Sequence, residues 1–164
     1  MKRLVLVRHG KADQSGNIES DFERTLIKKG QKDARIIAGV LKDLDVKPDL
    51  LLTSDAYRAV ETAEIFAEVM GLEADFIKRE HFLYEGYTTG QLVDFIVENG
   101  DDKNTIFVFG HNPFISQTGI RLSKNFHQSF PTSGCLGLKF DTSTWTLEPK
   151  TGEIDFFEFP KKYM

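Results

Sequence analysis

Apolar residues fall along this chain in two rhythms. Leu4-Val5-Leu6-Val7, Leu50-Leu51-Leu52 and Ile106-Phe107-Val108-Phe109 are unbroken apolar runs flanked by polar residues. That is the pattern of short strands buried on both faces. Between the runs, apolar residues recur at helical spacing. Ala34, Ile37, Ala38, Leu41 and Leu44 predict a helix from about Leu26 to Asp45, broken at Pro48-Asp49. Ala59, Ala63, Phe66 and Met70 predict a second helix, capped by Ser54 or Asp55 and stopped by Gly71. A third helix starts at Thr88 or Thr89 and ends near Glu98, and a fourth runs from about Pro113 to Ser123. A polar loop, Lys11 to Glu23 with Ser15-Gly16-Asn17 inside it, follows the first strand. Residues 74–78 predict an edge strand. The tail predicts strands at 134–140, 144–148 and 153–159, with a hairpin turn at Pro149-Lys150-Thr151-Gly152. Strand and helix alternating in this way predict an α/β fold: three layers, with a mostly parallel central sheet and an antiparallel edge.

The chain has 164 residues, a length that fits one domain over 1–164. A formal net charge of −4 exerts no global pull on nucleic acid or membrane, so anion recognition needs a local cluster of cations. A single cysteine, Cys135, excludes an internal disulfide framework and fits a reducing cytoplasm. Arg8 interrupts the apolar run too early for a signal peptide, and no window approaches a membrane span.

Each buried run ends in polar residues: Arg8-His9-Gly10, Thr53-Ser54-Asp55 and Gly110-His111-Asn112. A buried strand has no structural use for an unpaired charge at its end. In open α/β sheets, ligands bind at the carboxyl ends of the strands. Parallel strands place these three ends on one rim, and Arg58 joins them from the first turn of the following helix. Two arginines, two histidines and a helix start suit a phosphoryl group, because guanidinium forks match phosphate oxygens. Other chemistries lack their residues. Asp141 stands where a phosphatase cysteine loop starting at Cys135 needs arginine, and there is no Gly-x-Ser-x-Gly elbow, phosphate-binding glycine loop or zinc spacing.

These stretches carry a resemblance. Leu4 to Ala12 is similar to the Arg-His-Gly signature of the histidine phosphatase superfamily, which has the phosphoglycerate-mutase-like fold. Leu52 to Ala63 resembles the second arginine motif of that superfamily, and Phe109-Gly110-His111-Asn112-Pro113 its second-histidine motif. Order, spacing and length look most like the small SixA-like phosphohistidine phosphatases. Arg24-Thr25-Leu26-Ile27-Lys28-Lys29-Gly30 resembles that group's Arg-Pro-Leu-Thr-x-x-Gly stretch, departing from it at Thr25 and Ile27.

The resemblance implies a metal-independent, cofactor-free phosphatase in which a neutral His9 attacks phosphorus and becomes a transient phosphohistidine. Arg8, Arg58 and His111 would hold the phosphoryl oxygens, and Arg24, Ser54 and Glu85 are candidate substrate contacts. The proton donor is open between Glu85, His81 and no dedicated acid. The implied partner is a phosphorylated histidine-containing phosphotransfer protein, with no nucleic acid or membrane involved, and the protein is expected to act as a cytoplasmic monomer. Two rivals stand beside this reading: a phosphatase for small phosphate esters, and a phosphoprotein-binding module without turnover. Single residues also have plain structural roles open to them. Arg58 could pair with Glu61, Arg24 with Asp21 or Glu23, and His111 could simply order its turn.

Overall fold

Lys2–Arg8 (β1), Leu50–Ser54 (β2), Ile77–Glu80 (β3), Thr105–Gly110 (β4), Cys135–Phe140 (β5) and Glu153–Glu158 (β6) form a six-stranded sheet of order β3-β2-β4-β1-β5-β6. The structure is a computed structural model that describes residues 1–14 and 20–164, so Ser15-Gly16-Asn17 lie outside the described residues. β3, β2, β4 and β1 run parallel; β5 is antiparallel to β1, and β6 to β5.

Side chains alternate across each strand, and both sides are covered. Val5, Val7, Leu51, Phe107 and Phe109 pack with residues of Lys28–Asp43 (α1) and Tyr57–Met70 (α2), among them Ile37, Leu41 and Phe66. Leu4, Leu6, Leu52, Ile106 and Val108 pack on the opposite face against Thr89–Gly100 (α4) and Phe114–Leu122 (α5). Burial on both faces is why the apolar runs are unbroken. Each such side chain contributes roughly 1.5–3 kcal/mol relative to exposure. Among the described residues, no helix is long and apolar enough to cross a membrane.

Several boundaries differ from expectation for identifiable reasons. α2 is capped by neither Ser54 nor Asp55: its N-cap is Ala56, whose side chain makes no capping bond. The Ser54 and Asp55 side chains are turned instead to His111 and His81. Gly71 ends the helix in the left-handed conformation that favours glycine, at φ 71°. α4 opens with a reciprocal Thr88–Gln91 capping box. The strand expected at 74–78 is a 3-10 turn over Ala74–Phe76, and pairing with β2 begins only at Ile77, opposite Leu51.

No strand forms at 144–148. Both edges of β5 are already taken by β1 and β6. Trp145 and Leu147 enter the core from an irregular segment, with Trp145 Nε1 donating to the Lys103 carbonyl at 2.9 Å. The alternation there records burial without a ladder. The tail hairpin is therefore β5 to β6, joined by a long connection over 141–152. A one-turn helix, Phe82–Glu85 (α3), is an addition to the expected elements.

The segment after β1 is held tightly to the start of α1. Ile27 N–H donates to the Lys11 carbonyl at 3.0 Å. A methyl group on Gly30 would collide with that same carbonyl, so this close approach requires glycine.

Candidate active site

Strand register assembles the site. Arg8 lies opposite Gly110 across the β1–β4 ladder, so His9 and His111 leave the sheet side by side. Their ring centroids are 5.1 Å apart. β2 flanks the other side of β4, with Thr53 opposite Phe109, and this places Ser54 Oγ 2.8 Å from His111 Nε2. α2 begins directly after β2 and brings Arg58 back over the rim, its Nε 3.4 Å from His9 Nε2. One turn further along α2, the Thr62 hydroxyl accepts from Gly10 N–H at 3.0 Å and donates to the Arg58 carbonyl at 2.7 Å. This bond fastens the helix to the end of β1.

The hydrogen bonds define the proton positions. His9 Nδ1 is 2.7 Å from the Gly10 carbonyl, which can only accept, so Nδ1 carries the hydrogen. Nε2 then keeps its lone pair and faces the Arg58 Nε–H. Ser54 Oγ accepts from Ala56 N–H at 3.1 Å, and among the described residues His111 Nε2 is the acceptor within reach of its own hydrogen, so that hydrogen is directed at His111 Nε2. That leaves the hydrogen of His111 on Nδ1, a buried atom with no hydrogen bond to any described residue. Arg8 Nε is likewise buried without a partner among the described residues, while Arg8 Nη1 donates to the Phe130 carbonyl at 3.0 Å. Two unused donors and one lone pair thus belong to residues at the same rim of the sheet, groups of the kind that can hold a tetrahedral oxyanion against a nucleophilic nitrogen.

Both imidazoles are kept neutral. Burial pushes the His9 pKa down to about 3, assisted by His111, Arg58 and Arg8 and opposed by the bond to Gly10. Burial also pushes His111 down to about 4, assisted by Arg58, Arg24 and Arg8 and opposed by Asp21. In the unfolded chain both groups would take a proton near the ordinary value of 6.5. Acidification therefore favours the unfolded chain. The stability held in the neutral pair is complete above pH 6.5 and is lost as the pH falls from there toward 4, by up to about 1.4 kcal/mol per pH unit for each imidazole. Urea unfolding at pH 7 and pH 5 is expected to show this loss. The His9→Gln/His111→Gln double variant should lose markedly less over the same interval; an equal loss would contradict the assignment.

The arginines converge on an acid that sequence reasoning weighed only as a charge partner for Arg24. Arg58, 5% exposed, donates from Nη1 to the Asp21 carbonyl at 2.8 Å and from Nη2 to Asp21 Oδ2 at 3.0 Å. Arg24 Nε forms an ion pair with Asp21 Oδ1 at 3.1 Å. The Tyr84 hydroxyl donates to Asp21 Oδ2 at 3.0 Å, and its ring meets His111 edge to face at 5.6 Å. Partial burial pushes the Asp21 carboxyl up, but the Tyr84 hydroxyl and the two arginines outweigh it and hold it below the usual range. Arg58 does not pair with Glu61, whose carboxylate accepts from Leu26 N–H at 3.0 Å. Burial and Arg58 together lower the Arg8 pKa, a consequence of two guanidinium groups sharing one rim.

Among the described residues, no hydrogen bond or ion pair joins Glu85 or His81 to either of the paired histidines. The Glu85 carboxylate is exposed and faces His81 Nε2 at 3.9 Å. His81 Nδ1 is 2.9 Å from both Asp55 oxygens, and that bond raises its pKa. Phe22 packs among Tyr57, Tyr84 and His81 with ring centroids 5.0 to 5.9 Å away, forming an aromatic rim. A signal for Asp21 existed in the chain: an acid three residues before an arginine that a motif had already singled out.

Residues 4–85 match the family described as the histidine phosphatase superfamily (branch 1). An uncharacterized chloroplastic protein of Arabidopsis thaliana is 35% identical over 118 residues, which cover 68% of this chain and 54% of that protein. The chain thus spans about half the length of that relative. A solved SixA structure from Agrobacterium tumefaciens is 26% identical, with a TM-score of 0.80 over 96% of this chain and 97% of that one. The protein histidine phosphatase SixA complexed with tungstate has a TM-score of 0.84 over 99% of each chain at 21% identity, a likeness of fold.

Proposed function

Because this chain belongs to the histidine phosphatase superfamily and is SixA-like, we propose that it hydrolyses phosphohistidine on a phosphotransfer protein through a covalent intermediate on His9. The observation that carries this reading is the His9 ring itself. Its Nδ1 hydrogen is tied to the Gly10 carbonyl, and its Nε2 lone pair faces Arg58 beside His111.

In the first step, His9 Nε2 attacks phosphorus in line. A P–Nε2 bond forms while the bond from phosphorus to the substrate imidazole breaks. The substrate imidazole, already protonated on its other ring nitrogen, departs as a neutral imidazole whose freed nitrogen keeps the electron pair. In the second step, a water oxygen attacks phosphorus and the P–Nε2 bond breaks, regenerating neutral His9. The water's hydroxyl ends on phosphorus and its proton is released with inorganic phosphate. Arg8, Arg58 and His111 Nδ1–H stabilise the charge on the phosphoryl oxygens throughout. Arg24 holds the Asp21 carboxylate in place, and Ser54 sets the His111 tautomer.

The proton inventory favours an imidazole leaving group. General acid catalysis contributes roughly 10²–10⁴-fold, which an alkoxide needs and a protonated imidazole does not. Asp21, the carboxylate whose charge acts on His111, is held ionised by Tyr84 and the arginines. The deciding experiment compares hydrolysis of a phosphorylated histidine-containing domain with a panel of phosphate esters. The phosphorylated domain is expected to react much faster, and Glu85→Gln to change its rate less than about threefold, well short of the loss of a working general acid. A large preference for esters combined with a strong Glu85→Gln defect would reverse the substrate assignment.

A further inference from the structure

We propose that Asp21 is a positioning residue of this site, clamping the Nη1–Nη2 edge of the Arg58 guanidinium so that the adjacent Nε–Nη2 edge receives the phosphoryl group at His9. The proposal rests on His9 being the phosphoryl acceptor. It assigns a role to a carboxylate that anion binding alone would disfavour.

The geometry is that of a fork held from behind. A guanidinium carries five N–H donors in a fixed plane. The Asp21 carbonyl takes one donor of Nη1 at 2.8 Å, and Asp21 Oδ2 takes one of Nη2 at 3.0 Å. Nε–H points at His9 Nε2, 3.4 Å away. The second hydrogen of Nη2 lies on the same side of the plane's outline as Nε–H. Those two form the side-on fork that matches two oxygens of a phosphoryl group. Asp21 is itself held from two further directions, by Arg24 Nε at 3.1 Å and by the Tyr84 hydroxyl at 3.0 Å. One carboxylate therefore joins the turn at Asp21–Glu23, α2 and α3 around Arg58.

Electrostatics sharpens the inference. A negative charge beside two arginines weakens their attraction for a phosphate in the ground state. The contribution of Asp21 must then lie in orientation, which acts on the transition state. A misplacement of about 1 Å in a positioned group can cost about 100-fold in rate. Removing the charge should leave KM unchanged or lower while kcat falls.

The experiment measures kcat and KM of wild type and Asp21→Asn on a phosphorylated histidine-containing domain. It also measures inhibition by orthovanadate, which mimics the five-coordinate transition state, and by inorganic phosphate. The expected result is a kcat lower by about 10- to 100-fold, vanadate inhibition weakened by a similar factor, and phosphate inhibition unchanged or tighter. In an Arg58→Ala background, Asp21→Asn should have little further effect, because the two act as a unit. Tyr84→Phe, which removes a single hydroxyl from the clamp, should lower kcat by a smaller factor at an unchanged thermal midpoint. Wild-type turnover in Asp21→Asn overturns the proposal. So does faster turnover with tighter phosphate binding, which would make Asp21 an occluding anion, or an undiminished loss in the Arg58→Ala background. A wild type that forms no phosphoenzyme overturns instead the functional reading beneath it.

Discussion

Replacing His9 with alanine is expected to lower turnover by on the order of 10³- to 10⁶-fold and to abolish an acid-labile, alkali-stable phosphoenzyme in the wild-type protein. Removal of a covalent nucleophile in other hydrolases has effects in this range, and the residual rate comes from groups that still bind the transition state. The environment of His9 is the reason to expect that it, of the pair, is the nucleophile. Its Nδ1 hydrogen is fixed on a backbone carbonyl, its Nε2 keeps its lone pair and faces Arg58 Nε–H, and burial with neighbouring cations pushes its pKa to about 3. It is therefore ready to attack at any pH near neutrality. Labelling with a phosphodonor, followed by acid and alkali treatment, checks the prediction. A variant within tenfold of wild type would remove His9 from the mechanism. A wild type that binds phosphopeptide without labelling, matched by an equally binding His9→Ala, would favour a binding module.

Arg58→Ala should lower the single-turnover rate of phosphoryl transfer to His9 by on the order of 10²- to 10³-fold, the cost of one preorganised donor to a developing oxyanion. Two effects add here. The side-on fork over the reacting centre is lost, and the Asp21 carboxylate keeps Tyr84 and Arg24 but loses the cation that faces His9. Arg58→Lys should recover part of the loss at most. Lysine restores the charge but not the planar fork, which can bond Asp21 and phosphate at once. Rapid-quench measurement of phosphoenzyme formation distinguishes these outcomes. A loss below tenfold in Arg58→Ala would show that the other cations suffice.

Much of the rim was legible in the chain because strand burial leaves a strong mark. Leu4 to Val7 and Ile106 to Phe109 are unbroken because helices cover both faces of the sheet. An arginine and a histidine directly after such a run stand out, since nothing in the core needs them there. The order of the three motifs then carried the resemblance to the family. Ser54 is the last residue of β2, and its side chain bonds to His111 and does not cap α2.

The amino-acid sequence by itself determined the buried strands, the α/β alternation and the identity of the polar residues at the strand ends. These follow from local periodicity, and periodicity encodes which side of an element is buried. Only the tertiary structure decided that Arg58 pairs with Asp21, 37 residues away, and leaves Glu61 to Leu26. It likewise decided that Trp145 and Leu147 join the core without a strand, and that Tyr84 links Asp21 to the His111 ring. The physical reason is the same in each case. Pairing between elements depends on register and on which neighbouring edge or charge is already taken, and neither quantity is written in the spacing of residues along one segment.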